Sequence, residues 1–104
     1  MIHRAIKAFR QYNKMTQAEV AQKLSISKSY LSEIESGKKT ISIDLLEKIA
    51  EMYDMPVSSL IFFSETMNSK DAKVSEKFRG FVSSKVLSAL EWVIERDSKE
   101  KAVI

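Results

Sequence analysis

The 104-residue chain carries few of the side chains that perform covalent or redox chemistry. It has no Cys and a single His, His3, so thiolate nucleophiles, disulfide frameworks and Cys/His zinc sites are excluded. As the one histidine of the sequence, close to its N-terminus, His3 is not expected to serve as a catalytic base or a metal ligand. Carboxylate pairs exist, but none accompanies a nucleophile, a metal-ligand set or a glycine-rich phosphate loop, which argues against an enzyme and against a cofactor. The remaining chemistry is reversible ion pairing and hydrogen bonding. The net charge is only +3, yet residues 1–40 hold eight Lys/Arg against three acids, whereas residues 41–63 hold one against four. A basic excess confined to one small unit suits a polyanionic partner, with a merely solvated charged face as the plain alternative.

The elements that position these groups are helices. Only two Gly and one Pro occur, and apolar residues recur at helical rather than alternating spacing. Ile2, Ala5, Ile6 and Phe9 line one side of a first helix, residues 2–13. Thr16 with Glu19 three residues on forms a capping box ahead of Val20, Ala21 and Leu24, so a second helix ends near Leu24. Ser27 caps a third, with Leu31 and Ile34 inward and Gly37 suited to the left-handed position past its end. Ser42 and Asp44 start a fourth, which Pro56 stops, and a short fifth runs from about Ser58 to Phe63. Ser64 to Lys70 lacks apolar periodicity and reads as a linker, drawn as residues 64–72. Beyond it, residues 73–97 form a helical segment and residues 98–104 a tail. Apolar runs are short, the longest being Leu60 to Phe63, so neither a membrane span nor a secretion signal is expected and the location is expected to be cytoplasmic.

Two short helices joined by a turn of three or four residues, the second with polar side chains outward, form the geometry that places a helix in the major groove of DNA. Residues 17–36 fit it: Ala21 is small where the helices approach, and Val20, Ile26, Leu31 and Ile34 supply the shared core. Thr16-Gln17-Ala18-Glu19-Val20-Ala21-Gln22-Lys23-Leu24, then Ser27-Lys28-Ser29-Tyr30-Leu31-Ser32-Glu33-Ile34-Glu35-Ser36-Gly37, resembles the lambda-repressor-like Cro family of helix-turn-helix regulators, also called the XRE family. The resemblance covers about residues 2–63. It implies an all-α fold, a five-helix DNA-binding domain over residues 1–63, followed here by the C-terminal helical segment.

By position, the resemblance implies that Gln17 anchors a phosphate and braces the recognition helix. Ser27, Lys28, Ser29, Ser32 and Glu33 match positions that read base edges. Lys28 can donate to guanine O6 and N7, Glu33 can accept from cytosine N4, and the serines can do either. Glu33 could instead repel phosphate at wrong sequences or orient Lys28. Tyr30 matches a backbone contact, Lys38 and Lys39 face phosphates, and Arg10 with Glu35 forms a partly buried ion pair. Ser25 stands where relatives commonly have Gly, a left-handed position strained for Ser. Lys28 to Glu33 contains no Arg or Gln, so the two best-understood bidentate base pairings are absent and DNA shape takes a share of specificity.

On a helical projection from Val74, the residues Phe78, Phe81, Val82, Val86, Ala89, Leu90, Trp92 and Val93 make more than half of the circumference apolar. A face this wide packs on two things at once, and the second is expected to be another subunit, with Gly80 bending the segment or allowing close approach. The expected function is a sequence-specific transcriptional regulator, a repressor that binds a palindromic operator as a homodimer. The alternative is an antitoxin-like or antagonist-switched adaptor whose C-terminal helix binds a different protein.

Overall fold

The computed structural model describes residues 2–67 and 84–102. Among them the regular structure is entirely helical: α1 Ile2–Tyr12, α2 Gln17–Leu24, α3 Lys28–Glu35, α4 Ile43–Met52, α5 Val57–Met67 and α6 Ser84–Ala102. Three of the helices begin as their sequences predict. Thr16 Oγ1 accepts from Glu19 N while the Glu19 carboxylate accepts from Thr16 N, both at 3.1 Å. Ser27 and Ser42 cap α3 and α4 by accepting from Tyr30 N and Leu45 N. Those bonds satisfy first-turn amides that have no partner inside a helix.

α1 to α4 all end in one way. Lys14, Ser25, Gly37 and Asp54 have φ of 56°, 58°, 84° and 54°, respectively. At each, the left-handed residue donates its N–H three residues back, and its successor donates five residues back, as in Ile26 N to Ala21 O at 3.0 Å and Met55 N to Ala50 O at 3.0 Å. Only one of the four is a glycine, so three side chains sit in backbone geometry that favours Gly. Asp54 therefore ends α4 before Pro56 is reached, and Pro56 instead opens α5 by accepting from Ser59 N.

Two segment assignments change. α5 runs on to Met67, four residues past Phe63, so Ser64–Met67 is helix and not linker. Leu60, Phe63, Ser64 and Met67 share one face at i, i+3, i+4 and i+7, and a buried serine in that row hid its periodicity. Ser98–Ala102, read as a tail, continues α6, where exposed Glu95 and Lys99 pair at 3.2 Å.

The core gathers around Phe9, whose ring meets Tyr53 at 4.6 Å and Phe63 at 5.3 Å, both edge to face. Burial pushes the Tyr53 hydroxyl up to about 12, against the lowering effect of Arg10, with Glu35 raising it slightly further. α6 closes this core. Val86, Ala89, Leu90 and Val93 are at most 3% exposed and pack with α1 and α5 of the same chain. These four, expected at a subunit interface, lie in the chain's own core, because the faces of α1 and α5 offer apolar area that a helix of this width covers. Trp92 is half-buried against Tyr12, ring centroids 5.8 Å apart, with the Arg96 guanidinium 4.9 Å over its ring and bonded to Gln11 Oε1 at 2.9 Å. Lys85 Nζ donates to Tyr53 O at 2.8 Å, at the end of α4. The linker residues beyond Met67, together with Val74, Phe78, Gly80, Phe81 and Val82, lie outside the described residues.

Candidate nucleic-acid interface

α2 and α3 meet through the turn at Ser25 (φ 58°, ψ 40°), the left-handed conformation expected there. Ala21 and Val20 of α2 and Leu31 and Ile34 of α3 are buried beneath the turn. The apolar row of α3 therefore faces inward and its polar row outward. Lys28, Ser29 and Ser32 are exposed, Glu33 and Tyr30 half-buried, and Ser27 is exposed while its hydroxyl caps the helix. A helix with this outward face, free of bulky apolar groups, can enter a groove and offer donors and acceptors to base edges.

Beneath it lies a charged brace. Arg10 Nε donates to Glu35 Oε2 at 2.7 Å, a second guanidinium nitrogen to Glu35 Oε1 at 3.0 Å, and the third to Met15 O at 2.8 Å. Gln17 Nε2 also donates to Glu35 Oε1, at 3.0 Å. The two-pronged pair is buried, 11% and 2% exposed at the side chains, and it ties α1 to the end of α3 and to the start of α2. Gln17 thus braces α3 with its side chain while standing at the first position of α2, where helix amides point outward toward any anion.

The loop after α3 folds back over it. Glu33 O accepts from Lys38 N at 2.9 Å, Lys39 N at 3.2 Å and Ser36 Oγ at 3.1 Å. The Glu33 carboxylate pairs with Lys39 Nζ at 3.2 Å, and Lys39 lies 5.6 Å over the Tyr30 ring. Glu33 is therefore bound to Lys39 and not to Lys28. This trio is not legible in the sequence, because Glu33 and Lys39 lie six positions apart and only the left-handed turn at Gly37 brings them together. Nor does the sequence show that the His3 ring lies against Gly37, where a Cβ would meet it at 3.2 Å. The His3 imidazole is held below its usual value by burial, then by the terminal amine and Arg4. Lys38 is exposed in the same loop. Among the described residues no group of His, Asp and Glu could hold a metal ion, and no helix is long and apolar enough to cross a membrane.

The helix-turn-helix family matches residues 6–60, which contain every element of this interface. The immunity repressor protein of Bacillus phage phi105 is 32% identical over 72 residues, 69% of this chain and 50% of that protein. The HTH-type transcriptional regulator SinR of Bacillus subtilis strain 168 is 39% identical over 62 residues, 59% of this chain and 56% of that protein. A solved structure titled as a complex of the SinR and SinI proteins superposes with a TM-score of 0.56 at 26% identity, over 97% of this chain and 99% of that one. The chain spans about half the length of the curated relatives just described.

Proposed function

Since the chain belongs to the helix-turn-helix family, of the lambda-repressor and Cro type, we propose that it is a sequence-specific double-stranded-DNA-binding transcriptional repressor that lays α3 in the major groove. The observation that carries this reading is the outward row of Lys28, Ser29 and Ser32 on a helix fixed from behind by Arg10, Glu35 and Gln17. Ser27, Lys28, Ser29, Ser32 and Glu33 read base edges. Tyr30 contacts the DNA backbone, and Gln17, Lys38 and Lys39 contact phosphates. The phage immunity repressor among the similar proteins supports repression as the sign of regulation.

One short recognition helix reads too few base pairs for a unique site, so the active species is a homodimer reading two half-sites roughly 34 Å apart. With Val86, Ala89, Leu90 and Val93 occupied within the chain, the exposed Ile61 and the half-buried Leu87 and Ile94 are apolar groups left for that contact. Selection of bound sequences from random duplex DNA, at stated salt, tests both statements. A two-fold symmetric motif is the expected result, an unenriched pool overturns the DNA-reading proposal, and an asymmetric single half-site overturns the dimer. A second reading, in which the C-terminal helix binds a protein antagonist in the cytoplasm, is favoured by one observation, the likeness to a SinR and SinI complex. Co-purification of a second chain with the full-length protein, lost on Leu87→Lys in the half-buried outer row of α6, is its expected signature.

A further inference from the structure

The Glu33, Lys39 and Tyr30 trio lies on the surface that the proposed function assigns to DNA, and its geometry says more than that each residue contacts DNA separately. Lys39 is not a loose surface cation. Its ammonium is held by a carboxylate at 3.2 Å and by an aromatic face at 5.6 Å. The loop is folded onto Glu33 by three bonds to its carbonyl, so Lys39 starts close to that carboxylate whatever the side chains do. A carboxylate and a DNA phosphate are chemically alike to a lysine: each is a singly charged oxyanion that accepts from its compact point charge. Glu33 therefore occupies Lys39 as a phosphate would.

We propose that Glu33 is an internal stand-in for a DNA phosphate, which keeps Lys39 from engaging the backbone of a duplex until Glu33 finds a base donor of its own. This rests on the DNA-reading proposal above. At a wrong sequence, moving Lys39 to a phosphate leaves the Glu33 carboxylate unpaired among phosphates that repel it. At a right one, an exposed amino group such as cytosine N4 or adenine N6 takes over the carboxylate, and Lys39 is released. Base reading and phosphate contact become one coupled event, so non-specific affinity is lowered more than specific affinity. The pair is weak enough to yield. Its partners are 57% and 39% exposed, and an ion pair in such a setting shifts an equilibrium by at most about fivefold.

The test compares the wild-type full chain with Glu33→Gln, which keeps the shape and removes the charge of a carboxylate whose side chain is 39% exposed. Two duplexes of equal length are used, the site selected by the wild type and a scrambled version. On the scrambled duplex, Glu33→Gln is expected to bind about two- to fivefold more tightly, with the slope of log K against log salt steeper by up to about 0.9. The gain on the selected site is smaller, so discrimination falls. In the free wild type, the Lys39 ε-methylene proton resonances are expected to be shifted by the Tyr30 ring, to return toward ordinary values on the selected duplex and to stay shifted on the scrambled one. Unchanged affinity and slope of Glu33→Gln on scrambled DNA, or loss of the ring shift on both duplexes alike, overturns the coupling and leaves DNA binding intact. A wild-type chain with no affinity for any duplex overturns both.

Discussion

Replacing Arg10 by Met is expected to cost about 3–5 kcal/mol of folding stability, the range for removing one partner of a buried ion pair. The substitution conserves apolar bulk but deletes three hydrogen bonds, two to Glu35 and one to Met15 O. The Glu35 carboxylate, with a side chain 2% exposed, is then left with the Gln17 amide as its one bond from this brace. A small domain is stable by about 5–15 kcal/mol in total, so the loss is a large fraction. For a domain of this size about 4–8 °C of melting temperature goes with each kcal/mol, so a fall of at least about 12 °C is expected. The informative comparison is the double variant Arg10→Met/Glu35→Met. It removes both charges and leaves only Met15 O and Gln17 without these partners, at about 1 kcal/mol each, so it is expected within about 2 kcal/mol of the wild type. Urea unfolding followed by circular dichroism, with m unchanged, measures the wild type, both single variants and the double variant. A single variant within about 1 kcal/mol of wild type, or a double variant as unstable as the sum of the two single ones, would refute the reasoning that an unpaired buried carboxylate is the source of the cost.

Ser25→Gly is expected to raise stability by about 0.5–1 kcal/mol, seen as a higher urea midpoint, because the left-handed turn between α2 and α3 strains any side chain. Leu90→Ala is expected to cost about 2–5 kcal/mol if α6 docks within the chain as described, with a change in Trp92 fluorescence; a loss below about 0.5 kcal/mol would contradict that docking. The Glu19 carboxyl is held below its ordinary value of 4.5, first by the Thr16 amide and then by the Thr16 hydroxyl. The stability it adds is therefore complete above 4.5 and is lost as pH falls through the lowered value, and in Thr16→Ala the Glu19 titration followed by NMR is expected to move back up toward 4.5. Lys38→Ala is expected to weaken binding to all duplexes alike and to make the salt slope shallower by about 0.9; a loss confined to one sequence would show a base contact instead.

Which parts of this fold were legible depended on whether their signals were local. Thr16, Ser27 and Ser42 announced helix starts because a cap needs a hydroxyl at one position and nothing distant. The helix ends were harder. Lys14 and Asp54 take the left-handed conformation without the glycine that would advertise it, so their turns become visible only in the backbone. Ser64 concealed the last turn of α5 by placing a hydroxyl in an apolar row. The apolar residues of α6 are legible in the sequence as residues that must be covered, but hydrophobic pattern does not say by which chain. For four of its residues the cover is α1 and α5. In the candidate interface, the Arg10, Glu35 and Gln17 brace followed from the family resemblance, and the structure supplies its bonds. The Glu33 and Lys39 pair could not be read from spacing, since it spans a turn of opposite hand.

The central claim is that the outward face of α3 reads base edges. Its most direct test is parallel selection from random duplex DNA by the wild type and by Lys28→Ala at the same salt concentration, since Lys28 is exposed and truncating it leaves the α3 core untouched. The wild type is expected to select a motif and the variant to show a relaxed preference at the base pair Lys28 faces, with the other positions kept. Identical motifs from the two proteins would contradict it.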